Sequence, residues 1–157
     1  MTDEIPIYQR LDAAPVRFED IEVGRDLGSM EWRLDTSQVQ GLIENDADYQ
    51  EWYLEDSPFG EPIVPPLATY PPVRLLFTRT YNLRGMFIEF TTHFIKPVFY
   101  GRDYTITGTV VGKWIKRDRE YVRYEARCLS EDGSIVFTTE RKHILSYSKR
   151  AADSPPA

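Results

Sequence analysis

The chain has 157 residues, of which 41% are hydrophobic and 13% aromatic, a composition typical of one globular domain and not of a disordered chain. Its net charge of −6 argues against a general nucleic-acid binder, because such proteins are usually basic. One cysteine, Cys128, excludes an internal disulfide framework. No apolar run reaches the length of a membrane span, and the first residues lack a leader pattern. We therefore predict a cytoplasmic protein that contacts neither nucleic acid nor membrane.

The first part of the chain is predicted to lead into a short helix. Residues 1–17 are expected to form an extended arm. A half-buried strand is predicted over 29–35, where Met30, Trp32 and Leu34 alternate with polar residues. The helix that follows has three candidates for its N-terminal cap, which are Asp35, Thr36 and Ser37.

This helix carries apolar residues on one face and an acid at its end. Val39, Leu42 and Ile43 recur at the helical spacing. Asp46 follows Val39 by two helical turns, so a helix that lasted that far would aim this carboxylate at the interior. A loop rich in acidic and aromatic residues is predicted over 47–62, with one helical turn inside it.

A proline-rich segment then opens the second helix. Proline suits the first turn of a helix and breaks its interior. We therefore start the main helix near Pro71 or Pro72 and end it at about Thr80, with a preceding turn at residues 66–70.

The remainder alternates as strands. Residues 86–95 are predicted to place Ile88, Phe90, Thr92 and Phe94 toward the core. Further strands are predicted over 103–114, 119–129 and 134–147, and Asp132-Gly133 is a hairpin turn signal between the last two. The tail, 148–157, is expected to be disordered. The predicted fold is α+β, a single domain over 18–147 in which an antiparallel sheet wraps around one central helix.

Four segments carry a resemblance to a known family. The chain resembles the hot-dog fold of the MaoC-type (R)-specific enoyl-thioester hydratases and dehydratases in FEDIEVG, the Asp46 loop, GEPIVPPLAT and FIKPVFYGRDYTITGTVVGK. The resemblance covers residues 18–145. The PIVPPLAT stretch is similar to the dehydratase domain of type I fatty acid synthases and to heterodimeric hydroxyacyl dehydratases. The implied substrate is an acyl thioester of coenzyme A or acyl carrier protein.

The family's catalytic motif reads Asp, any residue, Asn, Pro, any residue, His, and its Asp and His hold the water that is added or removed. On this chain the motif falls on Asp46, Ala47, Asp48, Tyr49, Gln50 and Glu51. The first Asp is therefore present, and Glu51 takes the place of the His. Two close carboxylates push their pKa values apart, as a general acid–base pair requires. The resemblance thus implies Asp46 as the base and Glu51 as its acid partner, whereas the acid-rich loop alone also fits a solvated surface.

The resemblance also locates the rest of the site. Pro65 and Pro66 replace a His-Gly pair whose glycine N–H helps to form the family's oxyanion hole, and proline has no N–H to donate. The residues expected to bind substrate are Tyr49, Trp52, Val64, Pro65, Pro66 and Leu67. No Cys/His cluster predicts a metal site, and no cofactor is expected.

Three functions stay open at this point. The first is a divergent hydro-lyase that acts on an enoyl or 3-hydroxyacyl thioester. The second is a non-catalytic subunit of a heteromeric dehydratase, which the replaced His and the Pro-Pro pair favour. The third is a thioester-binding protein without chemistry. A homodimer, or a heterodimer with another hot-dog chain, is expected because a single sheet leaves an edge for a second chain to cover.

Overall fold

A computed structural model describes residues 14–145 of the chain. Its helices are α1 (Thr36–Asp46), α2 (Glu51–Leu54) and α3 (Tyr70–Thr78), with 3₁₀ segments at Phe18–Asp20 and Pro66–Thr69. Its strands are β1 (Asp26–Trp32), β2 (Met86–Phe94), β3 (Tyr104–Lys116), β4 (Arg119–Ser130) and β5 (Ile135–Ile144). The predicted tail and most of the predicted arm lie outside the described residues, so the domain limits at 17 and 147 stay predictions.

All five strands form one antiparallel sheet in the order β1-β3-β4-β5-β2. The sheet and its few helices make the α+β arrangement that the sequence predicts. The consecutive strands β3, β4 and β5 are neighbours through hairpins, whereas β2 crosses over to pair with β5. β1 and β2 are the two edge strands of the described sheet.

The central helix α3 is buried against this sheet. A 3₁₀ turn at Pro66–Thr69 leads directly into it, and its early prolines preset the helical backbone without the loss of a needed hydrogen bond. Val73, Leu76 and Phe77 are fully buried. The predicted start and the preceding turn agree with the structure, and the helix ends two residues before the predicted Thr80. Across residues 14–145, no helix is both long enough and apolar enough to span a bilayer.

The alternation in β4 is as predicted. Val122, Tyr124, Ala126 and Cys128 are buried, and the residues between them are less so. β1 departs from its predicted bounds because a bulge between Asp26 and Ser29 lets the strand start earlier. The strand also ends at Trp32, earlier than predicted, and leaves Leu34 beyond it.

The predicted core face of β2 is less buried than expected. Phe90 lies on the helix side, since its ring centroid is 6.2 Å from that of Tyr70. Phe90 and Phe94 are nevertheless each 43% exposed, and Ile88 is 38% exposed at a bulge. The physical reason is that β2 is an edge strand, and no other strand among residues 14–145 pairs with its outer side to cover these residues.

Candidate functional site

The candidate site begins at the two ends of α1. Asp35 is the N-cap residue, and its backbone N–H donates to Gln38 Oε1 at 2.8 Å. Val39 and Ile43 are buried, which fixes the helix on the core. The helix ends after Asp46 because Ala47 adopts a left-handed conformation (φ 52°).

This ending decides the position of Asp46. The residue is exposed, so the expectation that its carboxylate points into the interior is wrong. The last turn of α1 has already left the core at this point, and the left-handed Ala47 turns the chain back. The Asp48 N–H donates to the Ile43 carbonyl at 3.1 Å, which closes the turn. As a result Asp46 and Asp48 lie on the same side of the helix end, against one cavity.

That cavity has a volume of about 190 Å³. It lies between the end of α1, the short helix α2 and the proline-rich start of the central helix. Its lining residues are Leu42, Ile43, Asp46, Asp48, Tyr53, Pro65, Pro66 and Leu67. Apolar walls with two carboxylates and one phenol give a small pocket able to hold a polarised group and a water.

The structure brings together only part of the residues expected from the sequence. Asp46 lines the cavity with the three expected residues Pro65, Pro66 and Leu67. The other expected residues do not line it, and these are Tyr49, Glu51, Trp52 and Val64.

The separation has a structural cause. Glu51 and Trp52 are exposed on α2, and Tyr49, which precedes this helix, is 63% exposed. Val64 is buried instead, because its N–H donates to the Val98 carbonyl at 2.7 Å. The roles of these residues stay predictions, but Glu51 is not beside Asp46 in the cavity.

The proline pair changes which backbone group faces the cavity. Pro65 and Pro66 have no N–H. Ala68 N–H already donates to the Pro65 carbonyl at 2.9 Å. Leu67 N–H has no hydrogen-bond acceptor among residues 14–145. Leu67 therefore offers a backbone donor of this turn that is not used within the described chain.

The cavity is also lined by four residues that were not among the expected site residues, which are Leu42, Ile43, Asp48 and, on α2, Tyr53. Tyr53 is the most enclosed residue of α2, whose other members are exposed. Burial, and then the nearby Asp48 charge, raise the pKa of its phenol above the usual 10. The sequence held no signal that separates Tyr53 from its neighbours, because Trp52 on the same turn is also aromatic and is 43% exposed.

The two histidines and the cysteine do not line the cavity. His93 is exposed on β2, whereas His143 is buried and its Nε2 lies 3.2 Å from the Tyr124 hydroxyl. Burial raises the pKa of the Cys128 thiol to about 12, so this cysteine is unreactive at neutral pH. Among residues 14–145, no group of His, Cys, Asp and Glu side chains is arranged to hold a metal ion.

A larger hollow of about 810 Å³ lies on the face of the sheet away from the helix. One row of its lining runs across neighbouring strands and consists of Asp26, Thr109, Glu125, Glu140 and Thr91. Its lining is mostly polar, as is usual for the solvent-facing side of an antiparallel sheet. It contains none of the residues expected from the sequence.

Known structures share this architecture. An (R)-hydratase from A. caviae involved in PHA biosynthesis superimposes with a TM-score of 0.68 and 20% identity, over 81% of this chain and 98% of that one. A MaoC-like dehydratase from Rhodospirillum rubrum gives a TM-score of 0.64 and 20% identity, over 82% and 94%. The truncated HadBC complex from Mycobacterium tuberculosis, a 3R-hydroxyacyl-ACP dehydratase, gives a TM-score of 0.59 and 17% identity, over 78% and 96%.

These likenesses identify the class of fold. The chain has the hot-dog fold found in (R)-hydratases and MaoC-like dehydratases, as the sequence resemblance predicts. No protein-family model and no curated protein matches the sequence. At 17–20% identity the likeness concerns the fold alone, and what bears on activity is the geometry of the cavity.

Proposed function

We propose that the chain is a divergent MaoC-type hydro-lyase that adds water to an enoyl thioester, or removes it from a 3-hydroxyacyl thioester. The observation that carries the proposal is the position of Asp46 in a cavity at the proline-rich start of the central helix, within the fold of hydratases and dehydratases. The thioester is one of coenzyme A or acyl carrier protein. The chemistry uses no cofactor, and we place the protein in the cytoplasm.

In the proposed reaction Asp46 acts as the general base. Its carboxylate forms no ion pair or hydrogen bond with another residue of the described range 14–145, so it is free to accept a proton from water. Leu67 N–H is the proposed donor to the thioester carbonyl oxygen, on which negative charge develops. This donor would take the role that the family gives to a glycine, one position beyond the proline pair.

The first experiment replaces Asp46 with Asn and measures hydration of enoyl thioesters by ultraviolet absorbance. The amide keeps the size of the side chain but does not accept a proton from water. General-base catalysis contributes about 10²–10⁴-fold, so we expect a loss of that order with an unchanged thermal midpoint. Asp48→Asn is the matched control, because it alters a carboxylate of the same cavity to the amide of the family motif, and we expect it to retain activity.

The acid partner expected from the motif, Glu51, is tested in the same assay. Glu51→Gln should lose activity if this carboxylate moves to reach the substrate, and should be silent if it stays on the exposed face of α2. Glu51→His supplies the family residue at the motif position. A gain of activity in this variant would show that α2 can bring residue 51 to the reacting atoms.

A second candidate is the non-catalytic subunit of a heteromeric dehydratase. The cavity of about 190 Å³ is smaller than the usual ligand pocket of about 300–1,000 Å³, so it holds the reacting end of a thioester without a long acyl chain. The exposed edge of β2 offers a surface for a second hot-dog chain, and the HadBC structure is a complex. A partner that extends the cavity would explain both features.

The two candidates give different results. Purified wild-type protein that is inactive on a broad thioester panel, and becomes active only with a dyad-bearing partner chain, would contradict the lone enzyme. Activity of that complex should then survive Asp46→Asn. Binding of thioesters without turnover under any of these conditions would leave the third reading, a binding protein. Both leading candidates predict a dimer or larger assembly, and a monomer in analytical ultracentrifugation at micromolar concentration would count against them.

A further inference from the structure

The cavity holds two carboxylates but, at first sight, no acid to complement them. Addition of water to a double bond needs a proton for the second carbon, and the base that takes a proton from water does not supply it in the same step. Among the lining side chains, the aliphatic residues and prolines carry no acidic proton, and Asp46 and Asp48 are carboxylates. The phenol of Tyr53 is the one side chain of this lining that is neutral and able to donate a proton.

Two hydrogen bonds of the backbone hold Tyr53 in place. Its N–H donates to the Gln50 carbonyl at 2.9 Å, and its carbonyl accepts from the Tyr100 hydroxyl at 3.2 Å. Its ring is partly buried against the core. The main chain is thus tied on both sides of the residue, and the ring is oriented toward the cavity by packing.

The side-chain hydroxyl of Tyr53, unlike its backbone, forms no hydrogen bond with another residue within the range 14–145. An enclosed phenol usually has a polar partner. The backbone and the ring of Tyr53 are held in place, and its hydroxyl is available at the cavity. It can therefore form a hydrogen bond with a ligand that binds there.

We propose that Tyr53 is the proton donor of this site and takes the role of the family's missing histidine. The inference rests on the proposed hydro-lyase function and deepens it, since it assigns the acid of the reaction to α2 by position in the cavity. It replaces the motif-based expectation of Glu51 with a residue that lines the same cavity as the base.

Each atom of the proposed step has a source. Asp46 takes a proton from water, the water oxygen bonds to the β-carbon, and the double-bond electron pair shifts toward the thioester carbonyl. That pair then forms a C–H bond at the α-carbon with the proton of Tyr53, while the phenol O–H bond breaks. The proton on Asp46 returns through solvent to the tyrosinate, so the net change is the addition of one water.

The local electrostatics suit this role. Burial and the Asp48 charge both raise the pKa of the Tyr53 phenol, so the group is protonated at neutral pH. The wild-type rate should therefore fall on the alkaline side, as pH rises through that pKa and the proton donor is lost.

The experiment compares Tyr53→Phe with Tyr121→Phe in the thioester assay. Both changes remove one hydroxyl from a partly buried ring. Tyr121, however, stacks on Trp114 near the turn that joins β3 to β4, and it does not line the cavity. We expect Tyr53→Phe to lose about 10²–10⁴-fold in kcat with little change in KM. We expect Tyr121→Phe to match the wild type, and both variants to keep the wild-type thermal midpoint.

A second measurement separates a catalytic phenol from a structural one. Replacement of Tyr53 by a fluorinated tyrosine keeps the ring and lowers the pKa of the phenol. If Tyr53 donates the proton, the alkaline limb of the rate profile moves to lower pH. A limb that stays in place would overturn the inference, and this variant serves even if Tyr53→Phe does not fold.

The outcomes distinguish this inference from the proposed function. Full activity in Tyr53→Phe together with loss in Asp46→Asn would overturn the role of Tyr53 and leave the hydro-lyase standing. Wild-type protein that has no turnover, or whose partner complex keeps its activity in both variants, would overturn the hydro-lyase and Tyr53 as its acid together.

Discussion

The carboxylates of the cavity beside α1 are exposed, whereas the ionisable groups of a polar cluster under α3, formed by Tyr124, Arg141 and His143, are buried. In the cavity, Asp46 and Asp48 are exposed and form no ion pair within residues 14–145. In the cluster, Arg141 and His143 are each only 1% exposed and Tyr124 is fully buried. The comparison shows that the acidic run around Asp46 lies on the surface, where its carboxylates are accessible to solvent. The most deeply buried polar groups, Arg141 and His143, lie on β5 instead, where no acidic or aromatic run draws attention to them.

The cluster is held by aromatic rings and hydrogen bonds, and no ion pair joins it to a carboxylate within residues 14–145. The guanidinium of Arg141 lies 4.4 Å from the ring centroid of Tyr70, and its Nη1 donates to the Tyr70 carbonyl at 3.1 Å. Burial lowers the pKa of Arg141, with Tyr124 and Tyr70 opposing the effect. These contacts join β5 to Tyr70, the first residue of α3.

The largest expected difference between the two regions is in packing. Phe77 is fully buried and its ring stacks on Tyr124 with centroids 4.4 Å apart. Phe77→Ala should lower the free energy of unfolding by about 3–5 kcal/mol. Phe59→Ala, at a residue 53% exposed in the loop after α2, should change it by less than about 0.5 kcal/mol. Urea denaturation of both variants measures the contrast, and equal effects would show that Phe59 contributes as much to stability as the core residue Phe77.

The next expected effect is a pH dependence carried by the cluster. Burial, and then the positive charges of Arg74 and Arg141, lower the pKa of His143 from 6.5 to about 4. Below pH 6.5 His143 binds a proton in the unfolded chain but stays neutral in the folded chain. Stability is therefore lost as the pH falls toward 4. The loss from this residue should approach about 3 kcal/mol at pH 4, given about 1.4 kcal/mol for each pKa unit.

Two glutamine variants isolate this contribution. His143→Gln keeps a hydrogen-bonding side chain near Tyr124 but does not titrate, so urea denaturation between pH 7.5 and pH 4 should show a shallower fall than in the wild type. His93→Gln, on the exposed face of β2, should follow the wild-type curve. If the two variants behave alike, His143 is not the group that couples folding to protons.

The smallest expected effect lies in the helix beside the cavity. Gly41 lies within α1, and a Cβ built there meets no atom within 4 Å. Gly41→Ala should therefore stabilise the protein by about 0.5–1 kcal/mol, because glycine is the poorer helix former. Thermal denaturation measures the gain. A loss of stability would mean that another chain packs against this face of α1 and would weaken the description of the cavity region as open.

Periodicity predicts the regular elements of this fold well. The strict alternation in β4 and the proline positions before α3 depend on local geometry, and both agree with the structure. The depth of β2 did not follow from its alternation, because burial of Phe90 depends on whether another strand lies outside it. Strand order is a long-range property that a two-residue period does not encode.

The sequence predicted which residues line the cavity only where the local backbone fixes their position. Asp46 and Leu67 lie in the cavity because the end of α1 and the proline turn fix them locally. Glu51 is out of the cavity because α2 presents Tyr53 to it, and a motif alignment carries no information about that rotation. Deep burial of Arg141 and His143 was equally hidden, since the buried face of β5 is mostly polar and so does not look like a core face in the sequence.

The strand order has a consequence for how the chain reaches its fold. The hairpins of β3, β4 and β5 join strands that are close in sequence, so their pairing closes short loops. The pairing of β2 with β5, as in Met86 with Ile144, must enclose nearly the whole sheet before it gains a contact. We expect the three-strand meander to form early and β1 and β2 to dock last. Because α1 and α3 are connected to those late strands, we expect the cavity to be assembled at the end of folding, on a sheet whose centre is already in place.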